Sequence, residues 1–198
     1  MTKNDHIRAA QRQLTLALET AESIDRREKI VALATSDHEF WQRHKNNPGR
    51  LESFRRGVLV MSGWDFDWSN NGSFNDTGEC SAFASRWWRA AGLYIPESRY
   101  THEAEDKGTF FPIDRRTATA FDMKTVFQKW GCWHDVSEIE NAKPGDLLVT
   151  TDVSTGHACI VRKVTEGAVL TIEANYSNQI MMVRRTDMGK IVGFGSVD

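Results

Sequence analysis

The chain has 198 residues, 40% of them hydrophobic and seven of them Trp, enough for one substantial core with a small appended unit. A formal charge of −2 and a pI near 6.3 leave no basic excess to hold a nucleic-acid backbone, and no apolar run approaches the roughly 18 residues of a membrane span. The three cysteines, Cys80, Cys132 and Cys159, show no CxxC or His/Cys spacing, so neither a disulfide framework nor a zinc site is indicated and at least one thiol stays free.

The first residues, Met1-Thr2-Lys3-Asn4-Asp5-His6, have no basic stretch followed by an apolar one, so synthesis in the cytoplasm without a secretion signal is expected. Ile7, Ala10, Leu14, Ala17, Leu18 and Ala21 recur at three- and four-residue steps, which predicts helix from residue 5 to about 34. Ser36-Asp37-His38-Glu39 matches a capping box and predicts a separate short helix through Phe40-Trp41, stopped by Asn47-Pro48-Gly49. Residues 1–56 are thus expected to be a helical N-terminal extension that packs on the domain formed by residues 57–198. Within that domain Val58–Met61 is a short apolar run, and residues 62–78, rich in Gly, Asn, Asp, Ser and Trp, read as a long loop.

That loop feeds the segment from Cys80 to Ala91, which reads as a helix opening at the sulfur and stopping at Gly92. Backbone N–H groups at a helix start are unpaired and carry the positive end of the macrodipole, so they favour thiolate over thiol. A second helix is predicted between Arg116 and Gly131. Beyond the turn Ala142-Lys143-Pro144-Gly145-Asp146 the period changes to that of strands: Leu147–Val149, His157–Val164, Ala168–Ala174, Ile180–Arg185 and Ile191–Phe194. Helices followed by an antiparallel meander predict an α+β fold.

Alternation along a strand puts His157, Cys159 and Val161 on one face, and Val169, Thr171, Glu173 and Asn175 on one face of the next. A three-residue hairpin loop Thr165-Glu166-Gly167 sets His157 opposite Asn175 and Cys159 opposite Glu173, leaving Glu173 a diagonal neighbour of His157 at roughly 7–8 Å. A two-residue loop would place His157 opposite Ala174 and turn it away from both polar partners.

These residues suit nucleophilic catalysis. A free thiol with a pKa of about 8.5 is little ionised near neutrality, and a helix start contributes only about 0.3–1 kcal/mol, less than the roughly 1.4 kcal/mol of one pKa unit. His157 can take the thiol proton, pair with the thiolate and later protonate a leaving amine, with Glu173 or Asn175 orienting the ring. The Cys80 backbone N–H is a candidate oxyanion donor. Cys132 and Cys159 read as core residues, and His38, His44, His102 and His134 have no comparable context.

Gly78-Glu79-Cys80, Pro144-Gly145-Asp146-Leu147, Gly156-His157-Ala158 and Ile172-Glu173-Ala174-Asn175, in that order and at these intervals, resemble the CHAP family of cysteine- and histidine-dependent amidohydrolases and peptidases, neighbours of the NlpC-type peptidases. The resemblance covers about residues 57–198. It implies a papain-like fold with the nucleophile helix on an antiparallel sheet, and Cys80, His157, Glu173 and Asn175 as catalytic residues. It also implies cleavage of an amide bond in peptidoglycan, either between muramic acid and L-Ala or within stem or cross-bridge peptides. Without a secretion signal, such an enzyme would reach the wall as a phage lysin or a delivered antibacterial effector, with an immunity or delivery protein as a candidate partner. Members commonly have Gln where this chain has Glu79. Some carry calcium upstream of the nucleophile, but Asp65-Phe66-Asp67-Trp68-Ser69 reads better as solvated acids, so no metal and no cofactor is expected. Trp64, Trp68 and Trp133 could stack on sugars, although core packing is the commoner fate. The alternatives are a cysteine hydrolase or acyl-transferase acting on an intracellular amide, and a non-catalytic binding module of the same fold.

Overall fold

A computed structural model of the chain describes residues 26–61, 79–91, 120–129, 131–153, 156–177 and 179–196. The helix expected over residues 5–25, the loop 62–78 with Trp64, Trp68 and Asp65–Ser69, and the stop at Gly92 lie outside these residues. The described α-helices are α1 (Arg26–His44), α2 (Pro48–Met61), α3 (Glu79–Ala90) and α4 (Ala120–Lys129).

Helix α1 runs through Ser36 without a break, so the expected capping box opens no helix there. Tertiary contacts override the local motif. Asp37 is buried, and its carboxylate accepts from the Arg86 guanidinium and, at 2.7 Å, from the Trp87 indole of α3. Ile30, Leu33, Ala34, Phe40 and Trp41 are also buried along the helix. The Asn47-Pro48-Gly49 stop is at the same time a start: the Asn47 side chain accepts from the Arg50 N–H at 3.1 Å, and Pro48 occupies the first helical position, where a missing N–H loses nothing. Helix α2 then continues past residue 56 and takes Val58–Met61 into its last turn. Phe54 and Val58 of α2 share one core with Phe83 and Trp87 of α3, Phe54 and Phe83 lying 6.0 Å apart between ring centroids.

The sheet comprises β1 (Trp133–Asp135), β2 (Leu147–Thr150), β3 (His157–Thr165), β4 (Ala168–Tyr176), β5 (Gln179–Arg185) and β6 (Ile191–Gly195) in the order β1-β6-β2-β3-β4-β5, with every pairing antiparallel. The predicted meander holds from β2 to β5, but β6 returns across the sheet to pair with β2, and the short β1, which the sequence did not announce, extends the edge. Gly195 is needed on the returning strand because a Cβ there would stand 2.4 Å from the Phe127 ring. Leu147, Val149, Ala158, Ile160, Ile172 and Ala174 join the helices in the larger core, while Leu148, Cys159, Val161, Val169 and Phe194 form a second cluster with Ile139 of the 3-10 segment Val136–Asn141.

The turn before β2 fixes the far end of α3. Trp88 donates its indole N–H to the Gly145 carbonyl at 2.9 Å, Arg27 of α1 pairs with Asp146, and Asp146 accepts from the Lys143 N–H at 2.7 Å. A Cβ on Gly145, where φ is +90°, would meet the Arg27 carbonyl oxygen at 3.0 Å, so glycine permits this close approach.

Candidate active site

The hairpin between β3 and β4 has two residues in its turn, Glu166 and Gly167, since Thr165 pairs with Ala168. That corrects the expected three-residue loop, and alone it would have turned His157 away from Glu173. A bulge at Arg162 restores the phase: the register shifts between Val161 and Lys163, after which Val161 pairs with Thr171 and Ile160 with Ile172. His157 and Glu173 therefore meet by a different route. The His157 Nε2 lies 3.0 Å from Glu173 Oε2, with the histidine 6% exposed and the glutamate fully buried.

Asn175 does not join them. It has a φ of +59° beside a register shift between β4 and β5, and no hydrogen bond links it to His157 among the described residues. Asn tolerates the left-handed region better than most residues, which gives it a local backbone role at the strand end.

Cys80 lies in the first turn of α3, where its backbone N–H has no intrahelical acceptor, and its side chain is buried in the larger core. His157 is the first residue of β3, preceded by Gly156 at a φ of +74°. With Nε2 engaged by Glu173, Nδ1 is the nitrogen left for the sulfur. Burial pushes the Cys80 thiol up, but hydrogen bonding to His157, the imidazolium charge, the Ala158 N–H and the Ser81 hydroxyl outweigh it and bring the thiol below its ordinary value. Burial pushes His157 down, yet its hydrogen bonds to Cys80 and Glu173, and their negative charges, raise it to about 9.

Four hydrogen bonds hold the Glu173 carboxylate. Oε1 accepts from the Thr171 hydroxyl and from Arg185 Nε at 2.7 Å, and Oε2 accepts from Arg185 Nη2 at 2.6 Å and from His157. Burial pushes its proton affinity up, but hydrogen bonds from His157 and Arg185 and their charges hold the acid at about 2. Arg185 also pairs through Nη1 with Asp152 Oδ2 at 2.5 Å, and the Tyr176 ring lies against both the His157 ring (6.2 Å between centroids) and the Arg185 guanidinium (5.9 Å). Sequence reasoning missed Thr171, Arg185, Tyr176 and Asp152. The one available signal was Arg185 itself, a charge in strand phase with the apolar Met181 and Val183.

Cys159 is buried, with burial and the Glu173 charge pushing its thiol well up, and Cys132 is half-buried with its thiol also pushed up by burial, so neither is activated. Trp133 is half-buried against the core and donates to Asp135 at 3.0 Å. Among the described residues no group of three or more His, Cys, Asp or Glu could hold a metal ion, and no helix is long and apolar enough to cross a membrane.

The arrangement provides an acidified thiol, an imidazole that can shuttle its proton, and an ionised carboxylate that fixes the ring. No curated protein and no solved structure matches the chain significantly. The family model of the CHAP domain matches residues 68–175, a span that includes Cys80, His157 and Glu173 and ends before β5. That match covers more than half of the chain, and with it the chain belongs to the CHAP family, a family of amidase- and peptidase-type hydrolases.

Proposed function

We propose that the protein hydrolyses an amide bond of peptidoglycan through a thioester on Cys80. The observation that carries this reading is the buried contact of His157 Nε2 with Glu173 Oε2 at 3.0 Å, on a strand whose Ala158 shares one core with Cys80, the thiol that the imidazole would serve. The thiolate adds to the amide carbonyl carbon, forming a C–S bond and moving an electron pair onto oxygen, where the Cys80 N–H can donate to it. As the carbonyl re-forms, the C–N bond breaks and the His157 imidazolium gives its proton to the leaving amine. Water then enters, His157 takes one of its protons, the hydroxide adds to the thioester, and the C–S bond breaks to return the thiolate. Glu173 stays ionised throughout and balances the imidazolium.

The substrate class is supported by family membership, and the scissile bond lies either between muramic acid and L-Ala or in the stem or cross-bridge peptides. Digestion of purified sacculi followed by mass spectrometry of the muropeptides tests this directly. Wild type should generate new amine and carboxyl termini at one bond type, and Cys80→Ala should generate none. If wild-type protein with a reactive Cys80 releases no termini from any wall chemotype, the peptidoglycan assignment fails.

A further inference from the structure

We propose that Arg185 is the positioning residue of this site: it holds the Glu173 carboxylate charged with Oε2 aimed at His157, and through Asp152 it ties that acid to the segment leading into the histidine strand. The proposal rests on the Cys80–His157–Glu173 reading, and it adds a residue that the family match does not reach, since that match ends at residue 175.

Arg185 starts opposite Val169 in the β4–β5 register and reaches past Thr171 to Glu173. Its three nitrogens are all engaged: Nε on Oε1, Nη2 on Oε2, and Nη1 on Asp152. Asp152 lies between β2 and β3, accepts from Thr150 at 2.9 Å, and has Lys190 at 3.9 Å. Thr150 pairs with His157 across β2 and β3, so the guanidinium joins the acid to the neighbourhood of the ring from two sides. A lysine carries its three donors on a single compact nitrogen, so it lacks the planar fork by which separate nitrogens reach both Glu173 oxygens and Asp152.

The groups facing Glu173 are His157 and Cys159 on β3, Thr171 on its own strand and Arg185 on β5, with Cys80 beyond the imidazole and Asp152 and Lys190 beyond the guanidinium. Without Arg185 the imidazolium would be the one cation left, among the described residues, against a fully buried carboxylate. Such a group takes up a proton more readily, and once neutral it no longer balances the imidazolium that keeps Cys80 ionised. A purely structural ion pair between β4 and β5 would instead lower stability and leave the acid side of the thiolate titration where it was.

The test is the pH dependence of Cys80 alkylation by iodoacetamide, read on the Cys80 peptide by mass spectrometry, for wild type, Arg185→Met and Arg185→Lys, with melting curves in parallel. The acid limb should move upward by about one pH unit or more in Arg185→Met, and upward by less in Arg185→Lys. If the acid limb stays at the wild-type position in the folded variants, the proposal is overturned, whatever the melting temperature. Should Arg185→Met fail to fold, Arg185→Lys decides by the same criterion. Because the readout needs no substrate, a shifted limb in a protein that digests no wall material would sink the peptidoglycan assignment and leave Arg185 in place. Wall digestion with an unmoved limb would do the reverse.

Discussion

Glu173 and Asp37 are two of the buried carboxylates that face arginine among the described residues, and their proton affinities move in opposite directions. Glu173 on β4 is held at about 2, whereas burial raises Asp37 on α1 above its ordinary value despite Arg86 and Trp87. The difference lies in how the donors are distributed. Glu173 receives donors on both oxygens, and its arginine has every nitrogen engaged. Asp37 receives Arg86 and Trp87 on one oxygen, and Arg86 keeps two buried nitrogens, Nε and Nη2, without a hydrogen-bond partner. A carboxylate–arginine pair thus secures a charge in one place and joins two helices in the other.

The sharpest way to break this comparison is to neutralise each carboxylate and follow hydrolysis. Glu173→Gln should lower kcat by about 10⁴-fold, because the ring loses its anionic partner and its preferred tautomer. The double variant Asp37→Leu/Arg86→Met should keep hydrolysing, since its two side chains touch α1 and α3 and not the sulfur. Comparable losses in both would mean that helix anchoring, and not the relay, limits the reaction.

Denaturant unfolding sharpens the same contrast. Asp37→Ala alone leaves a buried guanidinium unpaired and should cost about 3–5 kcal/mol. The double apolar replacement should recover that loss, and can exceed wild type by about 1–4 kcal/mol. If the double variant is as unstable as the single one, Asp37–Arg86 is more than a helix fastener.

Stability against pH separates the two acids by sign. Glu173 lies below its ordinary value of 4.5, so the stability it contributes is in place above 4.5 and is lost as pH falls toward 2. Asp37 lies above its ordinary 3.8, so its contribution is complete below 3.8 and is lost as pH rises through its raised folded value. Unfolding free energies measured from pH 5 down to 2 should fall in wild type and fall less in Glu173→Gln.

The smallest effect concerns the relay itself. The His157 ring should titrate near 9 by NMR in the wild type and at a lower pH in Cys80→Ala, because the sulfur is one of the groups raising it. An unchanged midpoint would separate the ring from the thiol.

The residues of the proposed relay stand out in the sequence through short motifs: a thiol opening a helix, Gly-His opening a strand, and an acid in the next strand whose expected phase rests on a loop length that the structure corrects. The supporting shell does not. Arg185 lies 12 residues from Glu173 and reaches it along the sheet, and its one local signal, a charge in phase with Met181 and Val183, is shared by the exposed Arg184 in phase with Ile180 and Met182. Ser36 misled because a capping box is a local preference, and the buried Asp37 ties that turn of helix to another element. The return of β6 to β2 depends on pairings far apart in the chain, which strand periodicity does not encode.

The extra residue at Arg162 has an evolutionary consequence. Length changes in this hairpin obey an even–odd rule: removing Arg162 would send the imidazole to the opposite side of its strand and silence the protein, while a compensating one-residue insertion in the turn could bring it back. Indels in this stretch should therefore survive in matched pairs, each member harmful alone, and a screen of single and coupled length variants would reveal that reciprocity.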